Sequence, residues 1–247
     1  MTTMAVVTQE NSAPAVVRWA ARFAQMRGDT LIVIYCLIED QPQIPLTPVY
    51  DQHELIKPVL LQTNNEIIGE FEELKIEFFV MRHPDPAKVI IQEIKDRGVN
   101  FLCAGMDFMQ PRHVPVNRLC QRLLRFAPCD MFVLDPGGTD GSRYQRVLLP
   151  MGMHLGPFTL RSAVDLAEKS DCTIIPLEVG SYFGTDSQHV ARRTLQSKLD
   201  EAGIKATKSI QPTVALTGDR WKAILNKSRN IDLLLTGAGA LRDARRF

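Results

Sequence analysis

DPAKVIIQEIKDRGVNFLCAG, residues 85–105, is the stretch whose reading decides the fold. Asp85 carries the acceptor side chain that caps a helix, and Pro86 suits the first helical position, where its missing N–H costs nothing. The helix runs to about Asp96 and stops at Gly98; residues 100–104 then read as a buried strand closed by Gly105. A second copy, DRWKAILNKSRNIDLLLTG, occupies residues 219–237. Asp85 and Asp219, Lys88 and Lys222, Ile90 and Ile224, and Gly105 and Gly237 fall in register once two residues are dropped from the second copy. An internal repeat of this kind means one structural unit built twice.

Outward from this stretch the elements alternate. Residues 5–8 read as a first strand. Asn11 or Ser12 can cap the next helix, with Pro14 in its first turn, and Val16, Val17, Ala20, Ala21, Phe23 and Ala24 recur at helical spacing up to Gly28. TLIVIYCLI, residues 30–38, is too continuously apolar for a half-exposed strand and is expected at the centre of a sheet covered on both faces. Strand, helix and strand at this spacing form a βαβ unit, hence a parallel sheet with a right-handed crossover. Residues 39–58 hold four prolines and read as a loop; 60–74 as a helix; 75–81 as a strand; 106–115 as a loop; 116–126 as a basic helix with Leu119, Leu123 and Leu124 inward; and 130–134 as a fifth strand.

Residues 136–143 are polar and glycine-dense, which marks a linker between a first domain at 1–135 and a second at 144–247. The pattern then restarts. Strands are expected at 146–150, 172–179, 204–210 and 232–236, and helices at 158–169, at 188–202 and after Asp219. Arg18, Phe23, Ala24 and Thr30 match Arg161, Leu166, Ala167 and Thr173 at one constant offset. The second half lacks the last helix and strand of the first. That leaves a sheet edge to be covered by the partner half, another subunit or a further domain.

Composition narrows the class. The 247 residues are 45% apolar and 23% charged with a formal net charge of +1, as expected for a soluble globular protein with no general attraction to nucleic acid. No apolar run approaches the roughly 20 residues that span a bilayer, and the N-terminus lacks the pattern of a signal peptide. Cys36, Cys103, Cys120, Cys129 and Cys172 form no C-x-x-C pair and read as buried reduced thiols of a cytoplasmic protein. His53, His83, His113, His154 and His189 have no metal-ligand spacing, and Arg118, Arg122 and Arg125 read as a solvent-facing helix surface. There is no nucleophile elbow and no complete dinucleotide fingerprint, so no catalysis is expected.

Two β-α-β-α-β-α-β halves, each with a glycine directly after the fourth strand, resemble the universal stress protein family in tandem. The resemblance implies an α/β fold of two open parallel sheets, strand order 3-2-1-4-5, with helices on both faces and the halves paired as a dimer or pseudo-dimer. In members that bind ATP it implies an Asp ending the first strand and a loop G-x2-G-x9-G-[ST] after the fourth. Glycines in such a loop let backbone N–H groups approach phosphate oxygens.

The site positions carried over are Gln9, Glu10, Gly105, Gly152, Gly237 and Gly239. Gly105 matches the first loop glycine, but Phe108 stands at the second, Arg118 and Leu119 at the third, and Gln9 and Glu10 where the Asp belongs. In the second half Gly237 matches and Ala240 replaces the second glycine, while Met151 and Gly152 end the matching first strand. With both motifs broken, and with Met106, Phe108 and Met109 able to close the first, empty nucleotide sites and no cofactor are expected. The expected role is a non-enzymatic regulatory or oligomerisation module, a homodimer. One version is the cytosolic C-terminal domain of a membrane transporter, since such tandems resemble those of some cation–chloride cotransporter-like and antiporter proteins; the ending at Arg245, Arg246 and Phe247 fits a fragment of a longer chain. The alternative is a stand-alone universal stress protein binding ATP or AMP.

Overall fold

The computed structural model describes residues 1–8, 12–37, 58–105, 114–134, 145–151, 155–169, 172–180, 187–201, 203, 210, 214–217, 223–224, 227 and 231–237. The first half consists of β1 (Thr2–Val7), α1 (Ala13–Arg27), β2 (Thr30–Leu37), α2 (Pro58–Glu70), β3 (Ile76–Arg82), α3 (Pro86–Asp96), β4 (Phe101–Gly105), α4 (Val114–Phe126) and β5 (Asp130–Leu134). The second half follows with β6 (Arg146–Met151), α5 (Pro157–Lys169), β7 (Thr173–Gly180), α6 (Ser187–Glu201), β8 (Val214–Thr217) and β9 (Leu233–Thr236).

Glycine sets two of the helix ends. After α1, Gly28 turns left-handed at φ 68°, its N–H bonds the Gln25 carbonyl at 3.1 Å, and the Asp29 N–H bonds that of Ala24 at 2.9 Å. Gly98 does the same after α3 at φ 59°, with Val99 bonded to Ile94 at 2.9 Å. Both are glycine caps that satisfy the last carbonyls of a helix and turn the chain straight into the next strand. At the other end of α3 the Asp85 carboxylate accepts the Lys88 N–H at 3.3 Å, as its position before Pro86 predicts.

The two expected sheets are one. Among the described residues its nine strands run β3-β2-β1-β4-β5-β9-β6-β7-β8. Strands β1 to β5 pair in parallel, as do β6 to β9, and the halves join where β5 meets β9 antiparallel, Met131 opposite Thr236 and Leu134 opposite Leu233. The second half thus has the order 3-2-1-4 and borrows β5 as its fifth strand. Of the three expected covers for the edge left by the missing strand, the partner half is the one that supplies it. The sheet reads nearly the same from either end, with β5 in the middle.

Alternation along β5 assigns the two cores. Phe132 and Leu134 point into a layer beneath α1, α2, α5 and α6, and Met131 and Val133 into the layer that holds α3 and α4. In the first layer Phe132 lies edge-on to Trp19 and to Phe23, both at 4.6 Å, and stacks on Phe101 at 5.1 Å. At the β3 edge Glu77 meets Lys75 at 3.1 Å and Arg97 at 3.6 Å, and the Arg97 guanidinium sits 4.6 Å over Phe79. Charges on an outer strand discourage pairing with another chain.

Some boundaries differ from the sequence reading. Helix α2 starts at Pro58, a residue read as loop, because proline is tolerated in a first helical turn; it ends at Glu70, short of Leu74. Of the strand expected over 204–210 only Ile210 is described, bridging Ile174 in parallel, and residues 214–217, not read as a strand, form β8. Most of the expected loop at 39–58, the linker at 136–143 and the cap at Asp219 lie outside the described residues.

Candidate functional site

In an open parallel α/β sheet, ligands bind beyond the carboxyl ends of the strands where the strand order reverses. The first half places that crevice between β1 and β4, since β2 flanks β1 on one side and β4 on the other. Gly105 ends β4 there, half-buried and level with Leu134 of β5. Ser12 begins α1 above the crevice without a side-chain capping bond. Gln9, Glu10, Gly152 and Gly239 lie outside the described residues, so of the six candidate positions the structure places Gly105 and Gly237.

Helix α4 starts at Val114, which leaves the eight residues 106–113 to join it to β4. The family loop needs twelve residues between its first and third glycines. Residues 118 and 119, which the resemblance aligns with the last Gly-[ST], fall inside α4, and Leu119 is buried with Cys120, Leu123 and Leu124 in the core. A leucine held in an apolar layer offers neither a hydroxyl nor an open N–H to a phosphate.

Two arginines of the basic helix have described side chains: Arg122 is exposed, as expected, and Arg125 is half-exposed with its guanidinium 5.4 Å over the Phe126 ring. Arg122 grips the Asp85 carboxylate at 2.6 and 3.1 Å, clasping α4 to the cap of α3. Its hydrogen bonds hold the Asp85 carboxyl below the usual carboxylate range, against the opposing effect of burial. His83 accepts the Asp85 N–H at 2.9 Å through Nδ1, so it serves the same turn. The described residues include no group of three or more His, Cys, Asp or Glu side chains arranged to hold a metal.

All five cysteines are free and buried. Burial pushes the Cys36, Cys120 and Cys129 thiols up to about 12, with the Asp130 charge adding to the effect on Cys129. Burial, then Cys129, drives Cys103 well above its ordinary value. These groups stay protonated at neutral pH and are poor nucleophiles.

Because the halves run in opposite directions, the second crevice, between β6 and β9, opens at the other end of the sheet. Buried Gly237 follows β9 there. At this end a polar seam joins the halves. The Thr159 hydroxyl, in the first turn of α5, donates to the Asp130 carboxylate at 2.7 Å. Nearby Arg27 donates to the Ser162 hydroxyl at 3.3 Å and to Asp29 at 3.2 Å, and lies 4.9 Å over the Phe101 ring. Thr3 also donates to Asp29, at 2.9 Å. Sequence reading singled out neither Asp130 nor Thr159. The available signal was a charged residue on the same strand face as Phe132 and Leu134.

The fold and the crevice define an α/β protein with a ligand-site geometry at each end of a fused sheet. The model of the universal stress protein family matches residues 1–135, and the chain belongs to that family. No curated protein matches it in sequence. A universal stress protein from Archaeoglobus fulgidus is similar at 15% identity and a TM-score of 0.56, over 92% of this chain and 80% of that one. A putative universal stress protein from Pseudomonas aeruginosa is similar at 12% identity and 0.53, over 93% and 78%. The cytoplasmic domain of a prokaryotic cation chloride cotransporter is similar at 11% identity and 0.54, over 97% of this chain and 98% of that one. At these identities the likeness is one of fold. Among the described residues no helix is long and apolar enough to cross a membrane.

Proposed function

We propose that the chain is a non-enzymatic regulatory and oligomerisation module whose nucleotide sites no longer serve, acting as the cytosolic regulatory domain of a membrane transporter. The observation that carries this reading is the end-to-end correspondence with the cotransporter's cytoplasmic domain, 97% of one chain on 98% of the other. The universal stress proteins compared with it extend beyond it, with 78% and 80% of their lengths covered. The short β4–α4 connection and buried Leu119 support the loss of the phosphate cradle. A nine-stranded sheet with helices on both faces, as the described residues show it, offers a partner a broad surface.

Calorimetric titration with ATP and AMP tests the empty site: no saturable heat is expected, and tight binding of either overturns it. The transporter assignment is tested at the gene. An open reading frame that continues upstream through hydrophobic spans, or an adjacent transporter gene, is the expected finding; a stop codon immediately upstream with no such neighbour counts against it. Native mass spectrometry is expected to show a homodimer. A stand-alone nucleotide-binding stress protein is the second reading, favoured by Gly105 and Gly237, which end β4 and follow β9 at equivalent places. The same titration separates the two.

A further inference from the structure

Helix α2 keeps one apolar flank in solvent. Its inward face is Leu60, Thr63, Asn64 and Ile67. Its two acids, Glu66 and Glu70, turn toward α1, where Arg18 pairs with them at 3.6 and 2.8 Å. The flank turned away from α1 carries Leu61, Asn65 and Ile68, four and three residues apart and all exposed. Leu61 is 51% exposed and Ile68 50%. The counterpart helix of the second half, α6, instead exposes Arg192, Arg193, Gln196 and Ser197 along its middle turns. The ends of α2 are also unusual. Exposed Glu72 and Glu73 follow its carboxyl end, where the helix dipole is negative, and its last turn holds no basic residue. Its first turn, at the positive end, holds no acid. Each end therefore lacks the charge that the dipole favours.

We propose that this flank docks a second copy of the chain through the same helix, the two α2 helices lying antiparallel across a two-fold axis. Leu61 of each copy then meets Ile68 of the other, and the two Asn65 side chains meet at the axis, where a polar pair fixes the register. An antiparallel pair centred on Asn65 brings Glu72 of one copy level with Pro58 of the other. The acids that follow one helix thus face the positive end of its neighbour, which supplies the complementary charge missing within each copy. Strand β5 lies between β4 and β9 and is not free to join copies edge to edge. The contact rests on the homodimer reading of the preceding section and assigns its surface. A single pair of helices buries less than the roughly 1,600 Å² of a standard interface, so the dimer is weak and depends on concentration.

The test is sedimentation equilibrium of the full chain from about 1 to about 200 μM, a span that covers micromolar dissociation constants. Leu61→Glu and Ile68→Glu each set a carboxylate against the partner's apolar flank and are expected to raise the dimer dissociation constant about tenfold or more. Val59 is 50% exposed on the same helix but lies seven residues before Glu66, on the flank toward α1. Val59→Glu is expected to leave the constant within about twofold. All five native cysteines are buried, so an introduced thiol reports without background. Asn65→Cys is expected to cross-link two copies on mild oxidation, and Val59→Cys is not. Where a charged variant does not fold, this cysteine pair decides. A dimer that withstands both charged substitutions, or that cross-links no faster through residue 65 than through residue 59, overturns the α2 contact and leaves the homodimer reading in place. A chain that stays monomeric at the top of the concentration range overturns both.

Discussion

Replacing Phe132 with alanine should unfold both halves together. The ring is fully buried in β5, packed edge-on against Trp19 and Phe23 and stacked on Phe101. Truncating a buried phenylalanine costs about 3–5 kcal/mol from lost transfer energy and the cavity left behind. Three ring contacts, each adding about 0.5–1.5 kcal/mol, place this site at the upper end. Against a typical total of about 5–15 kcal/mol, that is a large fraction of the stability. For a chain of this size it corresponds to a fall of roughly 10–16 °C in melting temperature. The location makes the effect global. Strand β5 is the neighbour of β4 on one side and of β9 on the other, so loosening it withdraws support from both halves. Urea unfolding combined with hydrogen exchange resolved by peptide would report it: amides of β1 and β2 and amides of β6 and β9 should lose protection in parallel. A loss below about 2 kcal/mol, or exchange accelerated in the first half while β6 and β9 keep native protection, would refute the reasoning.

The same substitution should have opposite signs at two glycines. Gly28→Ala places a side chain at φ 68° with nothing within 4 Å of the new Cβ, so its cost is purely conformational, about 1 kcal/mol in urea melts. Gly69→Ala, on the exposed face of α2 and equally unobstructed, should stabilise by about 0.5–1 kcal/mol, a gain seen as a higher urea midpoint. Asp85→Asn removes the charge that Arg122 grips but can still cap α3, which isolates the ion pair. The folded-state carboxyl is depressed, so its contribution is present above the unfolded value of about 3.9 and is lost as pH falls through the lower folded value. The pair is largely exposed, so native chain and variant should differ by less than about 1 kcal/mol at pH 7 and converge below pH 3 in parallel urea melts.

Local chemistry made most elements legible. Asp85 with Pro86, and the stops at Gly28 and Gly98, marked their helix ends because capping and left-handed turns are decided within a few residues. The unbroken apolar run of β2 announced a strand covered on both faces, and it lies between β1 and β3. Val214–Thr217 was not read as a strand because four residues are too few for a periodic signal to stand out. At the candidate site, the broken glycine pattern was readable from spacing alone. So was the helix that carries Leu119 inward, although it begins at Val114, two residues earlier than its apolar spacing announced.

By itself the sequence determined that one α/β unit occurs twice, with the second copy short of a strand, since repetition and periodicity are properties of the chain alone. Only the tertiary structure decided what fills that gap. Strand pairing joins residues more than a hundred positions apart, Met131 with Thr236 among them, and nothing local encodes the partner or the direction. The antiparallel junction turned β5 into a strand with two neighbours from different halves, and so carried Asp130 to Thr159.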